Sequence, residues 1–251
     1  RVKSILNKLT REKFETLYAQ LLEQCGGSSE DALHRTEVVA VVAHEVFAKA
    51  TVQSFFVEMY ADLCTRLHAG LGAGTASLEF KRALLDQCQR AFTLYLEPPR
   101  LGESPQDGEQ ALEAYSRHKA QMLGNVRLVG HLLRRRMLSS RVIFHCTGAL
   151  LSISTPEAIE TLCALLETIG IAFDTLQWPG HAKLNEVFIR AELLAINPHQ
   201  SIRVRCLLQN LLDKRRNHWR EEAPGEKEEQ RGALKAQALP GPAPGPGPAH
   251  R

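Results

Sequence analysis

The feature that most constrains the fold of this chain is the apolar pattern between Met122 and Cys146, which reads MLGNVRLVGHLLRRRMLSSRVIFHC. The spacing predicts two amphipathic helices separated by a turn at Ser139-Ser140. The apolar stripe contains Val126, Leu128, Val129, Leu132, Leu133 and Met137 in the first helix, and Val142, Ile143, Cys146 and Leu150 in the second. In the first helix the stripe covers about half of the circumference. A stripe this wide is typical of a helix packed between two layers, as in a stacked helical array.

The rest of the chain shows the same helical period. Thr155-Pro156-Glu157 supplies an N-cap, a proline at the first helical position and an acid in the first turn. Ser28 and Asp31 have the spacing of a capping box at the start of an earlier helix. The pattern predicts about ten helices and no strand, in antiparallel pairs that recur about every 40 to 45 residues. We therefore predict an all-α HEAT-repeat solenoid of about five helix pairs, with a crescent shape.

The composition is that of a globular helical protein. Hydrophobic residues make up 44% of the chain and aromatic residues only 6%, so leucine, valine and alanine supply most of the apolar surface. No apolar stretch is long enough to cross a membrane. The cysteines at 25, 64, 88, 146, 163 and 206 form no CxxC pair. We interpret them as reduced thiols, four of them on apolar helical stripes, rather than as disulfides or zinc ligands.

The composition changes near residue 220, so the folded domain is predicted to span residues 1–219. Residues 220–251 form a Pro/Gly-rich tail or linker with too few large apolar residues to fold on their own. The net charge of the whole chain is +3. The tail contains equal numbers of basic and acidic residues, so the positive excess lies in the folded part. Its two basic clusters, around residues 134–136 and 214–216, are either solvated helix faces or phosphate-binding surfaces.

No pattern in the sequence supplies a catalytic or metal site. The GLGAG run at 70–74 lacks a preceding strand and a following Gly-Lys-Ser/Thr. His145 and Cys146 are adjacent in a predicted helix, where side chains point about 100° apart and cannot form a catalytic dyad. The histidines have no HExxH spacing. We expect a protein that is not an enzyme and that holds no metal or cofactor.

Six segments, taken in order, resemble one family. They are SILNKLTREKF (4–14), VFAKA with FFVEMYADLC (46–64), FKRALLDQCQRAF (80–92), MLGNVRLVGHLLRRRML (122–138), EAIETLCALLETIG (157–170) and RVRCLLQNLLDKRRNHW (203–219). Each is similar to a signature segment of the middle domain of eukaryotic translation initiation factor 4G. The resemblance covers residues 2–219 and implies a five-pair HEAT crescent.

The resemblance also implies a function. Middle domains of this family are cytoplasmic scaffolds that bind both lobes of the DEAD-box RNA helicase initiation factor 4A and thereby stimulate it. They also contact RNA through basic surface. The cap-binding protein is bound by other parts of the full-length factor, outside this chain.

The resemblance implies helicase-contact residues at the positions of this chain that match the family's contact residues. Leu6, Leu9 and Phe14 match the two leucines and the phenylalanine of the family's first helicase contact, although all three could also belong to the core. Arg203 and Arg205 match the two arginines of the second contact. The following aromatic residue of the family is replaced here by Cys206, so the second contact is expected to be weaker or differently arranged. The candidate RNA-binding residues are Arg134, Arg135, Lys214, Arg215 and Arg216.

Other departures indicate a divergent member. Thr51-Val52-Gln53 stands where the family usually has Glu-Pro, and the insertion at 97–109 is short. A related HEAT scaffold of mRNA decay, nuclear cap binding or splicing, with a different DEAD-box helicase, is the first alternative. An RNA-binding module that acts mainly through its arginine clusters is the second.

Overall fold

The computed structural model describes residues 1–26, 32–96 and 108–220 of the chain. Within these ranges all regular structure is helical and no strand occurs. The helices are α1 (Val2–Leu6), α2 (Phe14–Gly26), α3 (Ala32–Val52), α4 (Val57–Gly70), α5 (Thr75–Leu96), α6 (Gly108–Arg134), α7 (Arg141–Ile153), α8 (Pro156–Phe173), α9 (His181–Ile196) and α10 (Ile202–Arg216), with a 3-10 turn at Ser54–Phe56. The predicted capping box at Ser28 and Asp31, the segment 97–107 and the tail after 220 lie outside the described residues.

The helices stack as five successive pairs, α1/α2, α3/α4, α5/α6, α7/α8 and α9/α10. The second members form one continuous layer, in which α2 packs on α4, α4 on α6, α6 on α8 and α8 on α10. In the other layer α1 packs on α3 and α3 packs on α5. This arrangement confirms the all-α solenoid of five helix pairs that the sequence predicts.

Helix α6 lies at the centre of the stack and packs on α3, α4, α5 and α8. Two glycines allow this close packing. A Cβ at Gly124 would overlap the backbone carbonyl of Thr51 in α3, and a Cβ at Gly130 would lie 2.7 Å from the Thr168 methyl group of α8. The wide apolar stripe that the sequence places on this helix is buried, since Val126, Leu128, Leu132 and Leu133 are almost fully inaccessible to solvent.

The turn between α6 and α7 is a Schellman motif. Met137 N donates to Leu132 O and Arg136 N donates to Leu133 O, both at 3.0 Å. Arg136 occupies the left-handed position with a φ of 58°, which costs a non-glycine residue about 1 kcal/mol. Met137, which the periodicity places on the helix, lies beyond its end, yet its side chain is still buried.

Helix α8 begins as its sequence predicts. Thr155 is the N-cap, and its hydroxyl accepts a hydrogen bond from Ala158 N at 3.2 Å. Pro156 is the first helical residue and Glu157 lies in the first turn.

The segment before α4 departs from helical spacing. In FFVEMYADLC (55–64) the apolar spacing would place Phe55 and Phe56 on one helical stripe with Met59 and Tyr60, but Phe55 is 90% exposed. The reason is the 3-10 turn, which shifts the register so that α4 begins only at Val57. Tyr60 fixes this turn because its hydroxyl donates to Gln53 Oε1 at 2.6 Å.

Candidate functional site

The first predicted helicase contact lies at the N-terminal end of the solenoid. Leu6 is 1% exposed and Leu9 is 7% exposed, so both side chains belong to the core. Phe14 at the start of α2 is half-buried. A partner reaches Leu6 and Leu9 only if the segment that carries them moves, so Phe14 is the most accessible of the three predicted contact residues in this structure.

Polar contacts fix the segment that carries Phe14. Thr10 Oγ1 accepts a hydrogen bond from Lys13 N at 3.3 Å in the turn before α2. In the first turn of α2, the Glu15 carboxylate accepts two hydrogen bonds from the Arg66 guanidinium of α4, each 2.9 Å long. The Arg66 guanidinium also lies 4.7 Å from the centre of the Tyr18 ring. These contacts hold α2 against α4 and so fix the position of Phe14.

The second predicted contact lies on α10, the last helix of the stack. Ser201 caps this helix by accepting a hydrogen bond from Val204 N at 3.3 Å. The Arg203 side chain is 67% exposed and is bonded to Glu160 Oε2 at 2.9 Å, an oxygen that Lys119 shares at 2.7 Å. Arg203 is therefore on the surface, with one internal partner that a competing carboxylate could replace.

Arg205 has a different environment. Its side chain is half-buried and forms no ion pair or hydrogen bond with any other described residue, and its Nε is buried without a partner. A rotamer change that brings this guanidinium to a partner therefore breaks no internal hydrogen bond. Cys206, which replaces the family's aromatic residue, is exposed beside it.

The first basic cluster separates into residues with different roles. Arg135 is 16% exposed and connects α6 to α4, since its Nε donates to Asp62 Oδ1 at 2.7 Å and its Nη2 lies 3.5 Å from Glu58 Oε1. Arg135 therefore binds RNA only if its guanidinium leaves these internal partners or bridges to the RNA as well. Arg134 and Arg136 are exposed, and neither side chain is paired with another described residue.

The second basic cluster is neutralised by nearby acids. Lys214 Nζ lies 3.1 Å from Glu167 Oε1, and Arg216 Nη1 lies 2.7 Å from Asp213 Oδ1. Arg215 is 19% exposed and is bound to Asp174, which is itself 7% exposed. Arg215 is therefore part of the internal packing of α8, α9 and α10, and it is the least accessible of the three predicted RNA-binding residues in this cluster.

The thiols and other ionisable groups form no catalytic arrangement in the described residues. Five cysteines are buried and Cys206 is exposed, and none of the six forms a disulfide; the buried ones are Cys25, Cys64, Cys88, Cys146 and Cys163. Burial raises the pKa of Cys25 to about 11 and that of Cys146 to about 12, which keeps these thiols protonated and unreactive at neutral pH. Within the described ranges no group of three or more His, Cys, Asp or Glu residues is placed to hold a metal ion.

No single helix of the described chain has the length and apolar composition needed to cross a membrane. Residues 34–52 of α3 reach that length and composition only together with 54–70, across a bend of 111°. The apolar side chains Val39, Val42 and Val46 of α3 are completely buried in the solenoid core.

Comparison with known proteins now identifies the fold family. The family model described as "MIF4G domain" matches residues 1–218, which is nearly all of the described structure. The chain belongs to the MIF4G domain family. A crystal structure of the MIF4G domain of Trypanosoma cruzi translation initiation factor EIF4G5 superposes with a TM-score of 0.56 at 20% identity, covering 87% of this chain and 94% of that one. At this identity the superposition shows the shared fold.

Several curated relatives are named as forms of eukaryotic translation initiation factor 4G or 4 gamma. The chain is 33% identical over 233 residues to eukaryotic translation initiation factor 4G of Arabidopsis thaliana. It is 30% identical over 240 residues to eukaryotic translation initiation factor 4 gamma of Schizosaccharomyces pombe, and 28% identical over 237 residues to eukaryotic translation initiation factor 4 gamma 1 of Mus musculus. These alignments cover 87–88% of this chain but only 13–17% of the relatives' own length.

Proposed function

We propose that this MIF4G domain is a cytoplasmic translation-initiation scaffold that binds and stimulates the DEAD-box helicase initiation factor 4A within the cap-binding complex, and that it also contacts RNA. It acts by binding and not by catalysis, and the cap-binding protein is held outside this chain. The observation that carries the proposal is the family match over residues 1–218 together with relatives that share the name initiation factor 4G.

The layer order of the solenoid supports binding at two separate places. Phe14 lies on α2 and Arg203 and Arg205 lie on α10, which are the first and last helices of one continuous layer. A packed solenoid keeps such surfaces at a fixed separation. A scaffold that holds two mobile helicase lobes near their closed orientation reduces the ordering cost of closure, and this is how it stimulates ATP-dependent unwinding.

The chemistry of the two surfaces fits different anchors. Phe14 offers a half-buried aromatic ring that packs against the core cluster containing Leu6 and Leu9. Arg203 and Arg205 offer guanidinium groups that bind carboxylates through two parallel hydrogen bonds. Cys206 supplies little contact area beside them, so we expect the second surface to depend on the arginines.

A binding titration tests the two surfaces separately. Initiation factor 4A, with RNA and a nonhydrolysable ATP analogue, is titrated with the wild-type domain, with Phe14→Ala and with the double variant Arg203→Ala/Arg205→Ala. Loss of an interface anchor that contributes about 1.4 kcal/mol or more weakens binding by about tenfold. Arg190→Ala is the control because Arg190 is an exposed arginine of α9 that lies outside both proposed surfaces and both basic clusters.

The outcomes are distinct. Weakened binding by both test variants with an unchanged control supports the proposed surfaces. Normal binding by both variants removes these surfaces from the proposal. If the wild-type domain does not bind initiation factor 4A but binds another DEAD-box helicase, the alternative of a scaffold for decay, nuclear cap binding or splicing replaces the proposal.

A further inference from the structure

A cleft of about 380 Å³ lies between the α6–α7 turn and the connection from α8 to α9. This volume falls within the range typical of small-molecule binding sites, about 300–1,000 Å³. Its lining residues are Leu133, Arg134, Arg136, Leu138, Ser140, Ala172, Phe173 and Trp178. Two of these are cationic, two are aromatic and none is acidic.

The two arginines are available to a ligand. Both are exposed, and neither guanidinium is bound to another described side chain, in contrast to Arg135 between them. Arg136 also occupies a left-handed backbone position at the end of α6, where glycine is usual. The backbone conformation therefore does not explain why this residue is an arginine. The position of its side chain in the wall of the cleft offers an explanation.

The aromatic wall is fixed in place. The Trp178 ring is stacked on Phe144 with centroids 5.8 Å apart, and it meets Phe173 edge-on at 5.0 Å. Lys183 Nζ lies 4.5 Å from the centre of the Phe144 ring and adds a positive charge behind this wall. Phe173 and Trp178 are both half-buried, so part of each ring remains accessible from the cleft.

We propose that this cleft binds one nucleotide of a single-stranded RNA, with its phosphate on Arg134 and Arg136 and its base against Phe173 and Trp178. The proposal deepens the RNA contact of the proposed function and rests on it. Arginine binds phosphate oxygens through paired hydrogen bonds. Aromatic rings accept any base by stacking, so the site is expected to show little sequence preference. An acidic peptide would use the arginines but would gain little from the aromatic wall.

The test uses the whole chain and a labelled oligouridine about ten nucleotides long, a length within the range that single-strand sites cover. Fluorescence anisotropy measures its affinity for the wild-type chain, Arg134→Ala, Arg136→Gly and Phe173→Leu. The matched control is Arg82→Ala, which removes one exposed arginine from α5 on another part of the surface. An abasic oligomer of the same length and a polyglutamate peptide are measured in parallel.

Arg136→Gly is the most informative variant. Glycine is favoured at a left-handed position, so the melting temperature is expected to stay equal or to rise. The affinity for oligouridine is nevertheless expected to fall about five- to tenfold for Arg136→Gly and for Arg134→Ala, and less than about twofold for Arg82→Ala. Phe173→Leu is expected to weaken oligouridine binding but to leave binding of the abasic oligomer nearly unchanged.

Three results would overturn the proposal. The first is equal affinity of Arg134→Ala, Arg136→Gly and Arg82→Ala for oligouridine. The second is polyglutamate binding as tight as oligouridine binding, which would assign the cleft to an acidic peptide. The third is a wild-type chain that stimulates initiation factor 4A without binding oligouridine. In that case the scaffold function is supported and the RNA site is refuted. Conversely, oligouridine binding in the cleft without any helicase binding would support the RNA site and refute the scaffold function.

Discussion

Arg215 of α10 donates hydrogen bonds to both carboxylate oxygens of Asp174 at the end of α8, at 2.9 and 3.1 Å. The same guanidinium donates to Asn185 Oδ1 of α9 at 2.8 Å and lies 4.0 Å from the centre of the Phe188 ring. Trp219 Nε1 completes the cluster by donating to Asp174 Oδ2 at 3.1 Å. One arginine thus joins the last three helices, including α10, the helix that carries the proposed arginine contact.

Removing this arginine is expected to destabilise the domain. Arg215→Ala leaves the buried Asp174 carboxylate without its main partner, which typically costs about 3–5 kcal/mol. Arg216→Ala, one residue along, should change the free energy of unfolding by less than about 0.5 kcal/mol because its ion pair is exposed. Urea denaturation measures both variants. Equal stability of the two would show that the Arg215 cluster does not hold the helices together.

Two glycine substitutions should act in opposite directions. Gly124→Ala places a methyl group against the Thr51 carbonyl, so α3 and α6 must separate, and overpacking of this kind typically costs about 1–3 kcal/mol. Gly148 lies inside α7, where an added methyl group would meet no atom within 4 Å. Gly148→Ala is therefore expected to stabilise by about 0.5–1 kcal/mol. Thermal unfolding of the two variants distinguishes them, and a stable Gly124→Ala protein would contradict the close helix crossing.

The pH dependence of stability should report on His131. Burial, reinforced by Arg135 and Arg134 and opposed by Glu58 and Asp62, lowers its pKa from 6.5 to about 4. The unfolded chain therefore binds more protons between these values, so this contribution is complete above about pH 6.5 and is lost as the pH falls towards 4. Its size is about 1–3 kcal/mol. His131→Gln should flatten the stability profile over that interval; a profile as steep as that of the wild type would exclude the histidine as its source.

The thiols offer a probe of the second helicase surface. Cys206 is exposed and the other five cysteines are buried. A maleimide should therefore label one thiol in the native protein and six after denaturation. A bulky label at Cys206 lies next to Arg205, so we expect it to weaken binding of initiation factor 4A. Tight binding by the fully labelled protein would show that this part of α10 faces away from the helicase.

The helical period predicts the fold well because each helix must bury its own stripe, and Val126, Leu132 and Leu133 do so. Short motifs also predict helix ends correctly where a few adjacent residues determine the end, as at the Thr155 N-cap of α8. Phe55 shows the limit of periodicity, since a 3-10 turn changes the register without interrupting the apolar pattern.

The candidate sites were harder to predict because exposure depends on distant partners. Arg134, Arg135 and Arg136 are equivalent in the sequence, but Arg135 is paired with Asp62, which lies 73 positions away. Arg215 is likewise paired with Asp174, 41 positions away. The aromatic wall opposite Arg136 comes from Phe173 and Trp178, and no local motif connects these residues to α6.

The most direct test of the scaffold function is the steady-state ATPase rate of initiation factor 4A, measured with saturating RNA as a function of added domain. The wild-type chain should raise the rate in a saturable manner while hydrolysing no ATP alone. The variant Phe14→Ala/Arg203→Ala/Arg205→Ala should require a much higher concentration for the same effect, and Arg190→Ala should match the wild type. An ATPase rate that stays at the level of the helicase alone at every concentration of a folded domain would contradict the account.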